Sequence, residues 1–352
     1  MQLRSISIAA VLLSIYFVVQ FLDISQSILI PFIFAVLICN LLSTIANFFQ
    51  QAPHIGQYIP RWIAITIAFL LLIVVFSSIG KILTENTQKI ILSSQSIQTK
   101  MNALLEHLAD KGYSKTYLVD GLQNLLKQID FQKLILGFYS TVSTIMSSLF
   151  LMVLFVIFFF IEQNNFAEKL VKIFPKKSQH DKVMTLLKTI PDQIQFYLGM
   201  KTLFSAITGF AIYVILELMN MEFAAFWGIL VFLMNFIPNI GSIAITVIIT
   251  IVAYFQWYDW AKVMIVFFAQ LSVHVVIGNL VETHYLGRTM HLSPLFLIIS
   301  LCFWGKLWGG TGLFLAVPMT VLLMIILGSF ESTRIYAMML SEKGELPKDC
   351  NV

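Results

Sequence analysis

Twenty-eight consecutive residues without a charge, 134 to 161 between Lys133 and Glu162, constrain this chain more than any other feature. As a helix rising about 1.5 Å per residue, such a run outreaches a hydrocarbon core roughly 30 Å thick. Residues 62 to 80, between Arg61 and Lys81, and 307 to 330, between Lys306 and Glu331, are long enough to cross as well. None alternates apolar with polar positions as a barrel strand must, and in lipid each backbone amide needs an internal partner. The expected fold is therefore all-α: a polytopic helical membrane protein of about eight membrane segments. The composition, 59% hydrophobic and 11% charged, lies outside the soluble range and leads to the same class.

Several functions are excluded at once. The formal net charge of +4 is small, and no basic patch interleaved with aromatics offers a nucleic-acid surface. Cys39 and Cys302 fall in apolar runs and Cys350 in the tail, without CxxC or His-rich spacing, so neither a metal site nor a cofactor is implied. No GxxxxGK[ST] loop cradles phosphate, which removes ATP as a directly bound fuel. HExxH and GxSxG are also missing, and an enzyme is not expected. A carrier and a non-transporting scaffold remain.

Charge divides the chain into stretches. Residues 1–83 hold three N-terminal spans, of which the first, at 5 to 22, reads as a retained helix because no small-x-small cleavage site follows it. Residues 84–132 mix Lys and Asp/Glu and read as a water-exposed amphipathic helical hairpin. Its stripes are Ile97, Met101, Leu104, Leu108 and Leu118, Leu122, Leu125, Ile129, with a break at Lys111 to Ser114. Residues 133–330 hold the remaining spans, the transport region if the chain is a carrier, and 331–352 form a tail. Within 133–330 the connector 162–201 carries seven lysines (169, 172, 176, 177, 182, 188 and 201) against four acids. The positive-inside rule puts it, and by counting spans both termini, in the cytoplasm. Its face of Val183, Leu187, Ile190, Ile194 and Tyr197 suits either an interfacial helix or one packed under the bundle.

The last third has unusual lengths. From 223 to 258 there are 36 uncharged residues, which as one helix would measure about 54 Å, too long for a single crossing. Pro238-Asn239-Ile240-Gly241 supplies a break, because proline lacks an amide and glycine permits a sharp turn. A hairpin over 223–256 follows. After a span at 263 to 281 the pattern recurs at 292–328, broken at Gly305 to Gly312. Counting crossings makes the two re-entrant-like hairpins enter from opposite faces, an inverted repeat of the kind carriers use, with tips near the bilayer middle. Kinked but ordinary spans would leave the same pattern.

Phe223-Ala224-Ala225-Phe226-Trp227-Gly228 and Asn235-Phe236-Ile237-Pro238-Asn239-Ile240-Gly241-Ser242 resemble the signature of the autoinducer-2 exporter family of bacterial membrane proteins. Gly278-Asn279-Leu280-Val281-Glu282, Gly287-Arg288, Leu292-Ser293-Pro294-Leu295, Phe303-Trp304-Gly305 and Leu315-Ala316-Val317-Pro318 follow in that family's order. Thr283-His284-Tyr285 departs from it, where a proline and a basic residue usually follow the glutamate. The resemblance implies a homo-oligomeric carrier, a pentamer being one form, in the bacterial inner membrane. Some members are linked to export of autoinducer-2, others to sodium-proton exchange.

The candidate site residues are polar groups stranded in apolar runs, where a central charge costs about 2.5–3.5 kcal/mol on insertion scales. Asn235, Pro238, Asn239 and Gly241 form the first break, where freed backbone groups and two amides can meet a polar solute or small cation; the amides can equally cap the half-helices. Asn279, Gly309 and Gly310 complete the solute-binding set. Glu282 follows Asn279 at i+3, with His274 eight residues earlier, a spacing compatible with a proton relay. Arg288, six residues beyond Glu282, can instead make it half of a structural ion pair. These three form the coupling set.

Overall fold

The computed structural model describes residues 2–50, 60–110, 131–173, 177–282, 284–285, 292–330, 333–342 and 344. Among them the chain is helical, its one β feature being an isolated bridge between Leu292 and Ser341. The helices are α1 (Gln2–Ile24), α2 (Gln26–Gln50), α3 (Arg61–Asp110), α4 (Phe131–Ser147), α5 (Leu149–Ile173) and α6 (Lys177–Leu218). They continue with α7 (Ala224–Met234), α8 (Ile240–Trp257), α9 (Trp260–Val273), a π-helix (His274–Glu282), α10 (Pro294–Gly328) and α11 (Arg334–Leu340).

Six described stretches are long and apolar enough to cross a membrane: Gln26–Asn47, Arg61–Leu83, Gln193–Leu218, Ile240–Trp257, Trp260–Glu282 and Pro294–Gly328. Shorter apolar helices lie at Ala9–Ile24, Leu149–Glu162 and Ala224–Met234. Large apolar side chains such as Phe17, Phe150 and Phe210 are more than 60% exposed. Lipid is the solvent that such surfaces require.

Segment boundaries differ from the sequence expectation in three places. The 134 to 161 run divides at Ser148, with α4 before and α5 after. The connector's apolar face belongs to no separate helix, because α6 runs unbroken from Lys177 across Pro191 into the candidate span Gln193–Leu218. The third span likewise continues as one helix to Asp110, and residues 111–130, the far arm of the expected hairpin, lie outside the described residues.

The chain forms two compact units. The first comprises Met1–Phe69, Thr144–Met200 and Leu286–Val352. Here α2 packs on α5, with Phe32 edge-on to Phe155 at 5.5 Å, while Phe34 stacks on Phe314 of α10 at 5.6 Å. The Trp308 indole donates to the Leu22 carbonyl at 3.1 Å, giving its one polar atom a partner.

The second unit comprises Leu70–Ser143 and Lys201–Tyr285. Its core joins Ile212 and Leu216 of α6, Phe226, Trp227, Leu230 and Val231 of α7, Ile245, Ile249 and Ala253 of α8, and Val263 and Val266 of α9. Ile245, Ile249 and Ala253 recur every four residues, so one stripe of α8 is buried. Where α6 meets α7 only glycine fits: a Cβ on Gly209 would lie 2.7 Å from the Gly228 carbonyl oxygen. Close approach through small residues is how helices associate in a medium that supplies no hydrophobic drive.

Candidate functional site

The site of the second unit starts on α6. Lys201, Ser205 and Thr208 lie at i, i+4 and i+7, one helical face, and all are buried. Lys201 is a correction to the sequence reading, which counted it among the connector lysines. It sits inside the candidate span Gln193–Leu218 and is 5% exposed. Its ammonium is ion-paired to the carboxylate of Glu282, whose side chain is also largely buried. Arg288, the ion-pair partner weighed from the sequence, lies outside the described residues. A buried ion pair adds little net stability, yet removing either charge strands the other in low dielectric.

Glu282 is the last residue of a nine-residue π-helix, His274–Glu282, that continues α9. Hydrogen bonding from i to i+5 widens the turn, so the α-helical argument placing Asn279 and Glu282 on one face does not carry over. Nothing of the Asn279 side chain is described. π-Helical turns are rare, and those inserted in α-helices are frequent at functional sites.

The first break occurs where Pro238 and Gly241 place it. α7 ends at Met234 and α8 begins at Ile240. The two arms are unequal rather than both half-length, with 11 and 18 residues. At the tip Asn239 has φ 58 and ψ −50, and the Ile240 amide donates to the Pro238 carbonyl at 2.6 Å. That i to i+2 bond around a positive φ makes the rare, strained form of γ-turn. Gly241 is obligatory beside it, since a Cβ would fall 1.8 Å from the Met234 carbonyl oxygen.

The two asparagines part company. Asn235 is buried and its amide donates to Ser205 Oγ at 3.2 Å, tying the tip to the polar face of α6. Asn239 is exposed, and although it holds the N-cap position its side chain makes no capping bond. Capping thus accounts for neither amide.

Four buried polar atoms have no hydrogen-bond partner among the described residues: Thr208 Oγ1, Trp227 Nε1, Gln270 Oε1 and His274 Nε2. All belong to the second unit. Thr208 and Trp227 directly precede the two glycines of the α6–α7 crossing, and Gln270 and His274 stand one turn apart on α9 and its π extension. Orphaned polar atoms in a core normally signal a water, ion or ligand that completes them. No group of three or more His, Cys, Asp or Glu residues that could hold a metal occurs among the described residues.

Gly309 and Gly310 lie in the first unit, in the break of α10. Non-helical geometry is confined there to Trp308 and Gly309, a tighter interruption than Gly305 to Gly312 suggested. Gly309 adopts φ 59 and ψ −140, open in practice to glycine alone. A Cβ on Gly312 would sit 1.8 Å from the Trp304 carbonyl oxygen, the same obstruction that Gly241 meets. The arms again run short then long, 14 residues over 294 to 307 and 19 over 310 to 328. The two breaks thus share one local design. Lys306 is exposed beside the second.

Comparison with known proteins places these features. The family model described as AI-2E family transporter matches residues 6–332. The AI-2 transport protein TqsA of Escherichia coli (strain K12) is 29% identical over 325 residues, covering 90% of each chain. A putative transport protein of Haemophilus influenzae is 29% identical over 329 residues, 91% of each. One from Borreliella burgdorferi is 35% identical over 215 residues, 60% of this chain and 59% of its own. With the match running through both breaks, the π-helix and the Lys201–Glu282 pair, the chain belongs to the AI-2E family of bacterial membrane transporters.

Proposed function

We propose that this protein is a secondary carrier of the bacterial inner membrane that exports a small, polar, uncharged solute of the autoinducer-2 type. The observation carrying this reading is the set of four buried polar atoms without partners in the second unit. An apolar core would not strand them, whereas a hydroxyl-rich solute and its waters supply both donors and acceptors. Asn239, strained, exposed and uncapped, is assigned to solute contact, and Asn235 to holding the tip through Ser205. Glu282 is the coupling group: a carboxylate can change charge in a gradient, while an amide can only exchange hydrogen bonds. Lys201 satisfies it whenever no external cation does.

Transport by purified protein in liposomes tests this, with opposed gradients of autoinducer-2, protons and sodium. The expected result is solute flux whose pH dependence is flattened by Glu282→Gln, while Asn239→Ala weakens apparent solute affinity at every pH. A second reading, sodium-proton exchange, draws on the buried carboxylate itself. Sodium-driven proton movement without any solute flux would favour it, and no flux of either kind would favour a scaffold. The orientation proposed, with both termini and the connector from 162 up to the span Gln193–Leu218 cytoplasmic, requires a cysteine at Ser114 to be labelled from outside intact cells and one at Ser178 to be spared.

A further inference from the structure

A groove of about 720 Å³ lies in the first unit among α2, α3 and α5. Leu42, Ile65, Phe69, Val156 and Phe160 make its walls, and Arg61 supplies the one cation of the lining. Arg61 is the first residue of α3, at the mouth of the candidate span Arg61–Leu83, with Trp62 beside it at the level where aromatic residues meet headgroups. The guanidinium is exposed and makes no ion pair or hydrogen bond among the described residues. Glu162, next along α5 from groove residue Ile161, is already bound to Lys169. From Arg61 to Phe69 the apolar wall runs eight residues inward, about 12 Å along the helix.

We propose that this groove is a binding site for an anionic phospholipid of the surrounding bilayer, its phosphate on Arg61 and one acyl chain along the wall. The charge and the walls select this occupant together. Arg presents a planar fork that matches phosphate, and the positive end of the α3 dipole lies at the same end of the groove. A zwitterionic lipid gains less there because its own ammonium opposes the guanidinium. A free phosphate leaves the apolar walls unused.

The test is native mass spectrometry of the full chain released from bilayers of phosphatidylglycerol and phosphatidylcholine with matched acyl chains. Native protein retains phosphatidylglycerol in preference. Arg61→Gln lowers that retention about five- to tenfold while leaving phosphatidylcholine unchanged, and Arg61→Lys keeps most of it. Ile65→Trp, which fills the groove and keeps the charge, lowers it as well, and inorganic phosphate does not compete. Equal retention of the two lipids, undiminished phosphatidylglycerol on Arg61→Gln, or displacement by inorganic phosphate would overturn the site. Loss of self-association in Arg61→Gln with lipid retention unchanged would do the same and mark a contact between copies of the chain. Should Arg61→Gln fail to fold, Ile65→Trp decides, since undiminished retention there leaves the groove no role.

Discussion

Lys201→Met keeps an unbranched side chain of similar reach and removes the ammonium, leaving the Glu282 carboxylate, whose side chain is 12% exposed, without its counter-charge. Breaking one side of a buried pair costs about 3–5 kcal/mol. An exposed pair such as Lys81–Glu85, with side chains 74% and 61% exposed, is worth about 0–1 kcal/mol and serves as the control. Glu282→Gln strands the ammonium, 6% exposed, in the same way. The double variant carries no net charge at the site, and replacement of both partners of a buried pair is often neutral or stabilising. The cycle should therefore close with a coupling of about 3 kcal/mol or more between the two positions. Denaturant titration of the detergent-solubilised protein, followed by tryptophan fluorescence, measures all four corners. Single variants each losing less than about 1 kcal/mol, with effects that simply add in the double, would refute the buried-pair argument.

The glycines offer a second check. Gly241→Ala and Gly312→Ala each drive a methyl into a carbonyl 1.8 Å away and should cost about 3 kcal/mol or more in unfolding titrations or abolish folded protein. Gly278→Ala meets nothing within 4 Å and should be neutral or stabilising by up to about 1 kcal/mol. Asn235→Ala removes the amide bound to Ser205 and should lower stability by about 1–3 kcal/mol, while Asn239→Ala loses no capping bond and should cost under about 1 kcal/mol, from placing alanine at a positive φ that asparagine tolerates better, so melting curves separate the two duties. Gly309→Ala, forced into φ 59 and ψ −140, should cost about 1–3 kcal/mol in the same titrations.

The sequence by itself determined the solvent of this protein and the breaks in its helices. Uncharged runs set against bilayer thickness are a one-dimensional quantity, and Pro238, Gly241 and Gly309 act on their own backbone, so both could be read along the chain. Only the tertiary structure decided which polar groups meet. Lys201 was misplaced because a lysine count cannot tell the last residue of a charged connector from the first of a buried stripe. A signal was there: fifteen uncharged residues follow Lys201, with Ser205 and Thr208 at i+4 and i+7. Glu282 pairs with Lys201, 81 residues back, where α6 meets the end of the π-helix, a partner that no spacing along the chain points to. That π-helix could not be foreseen either, since the same residues satisfy an α-helical ladder equally well. What selects the pair is burial: a carboxylate and an ammonium excluded from water on packed helices must find each other, and only packing specifies which two those are.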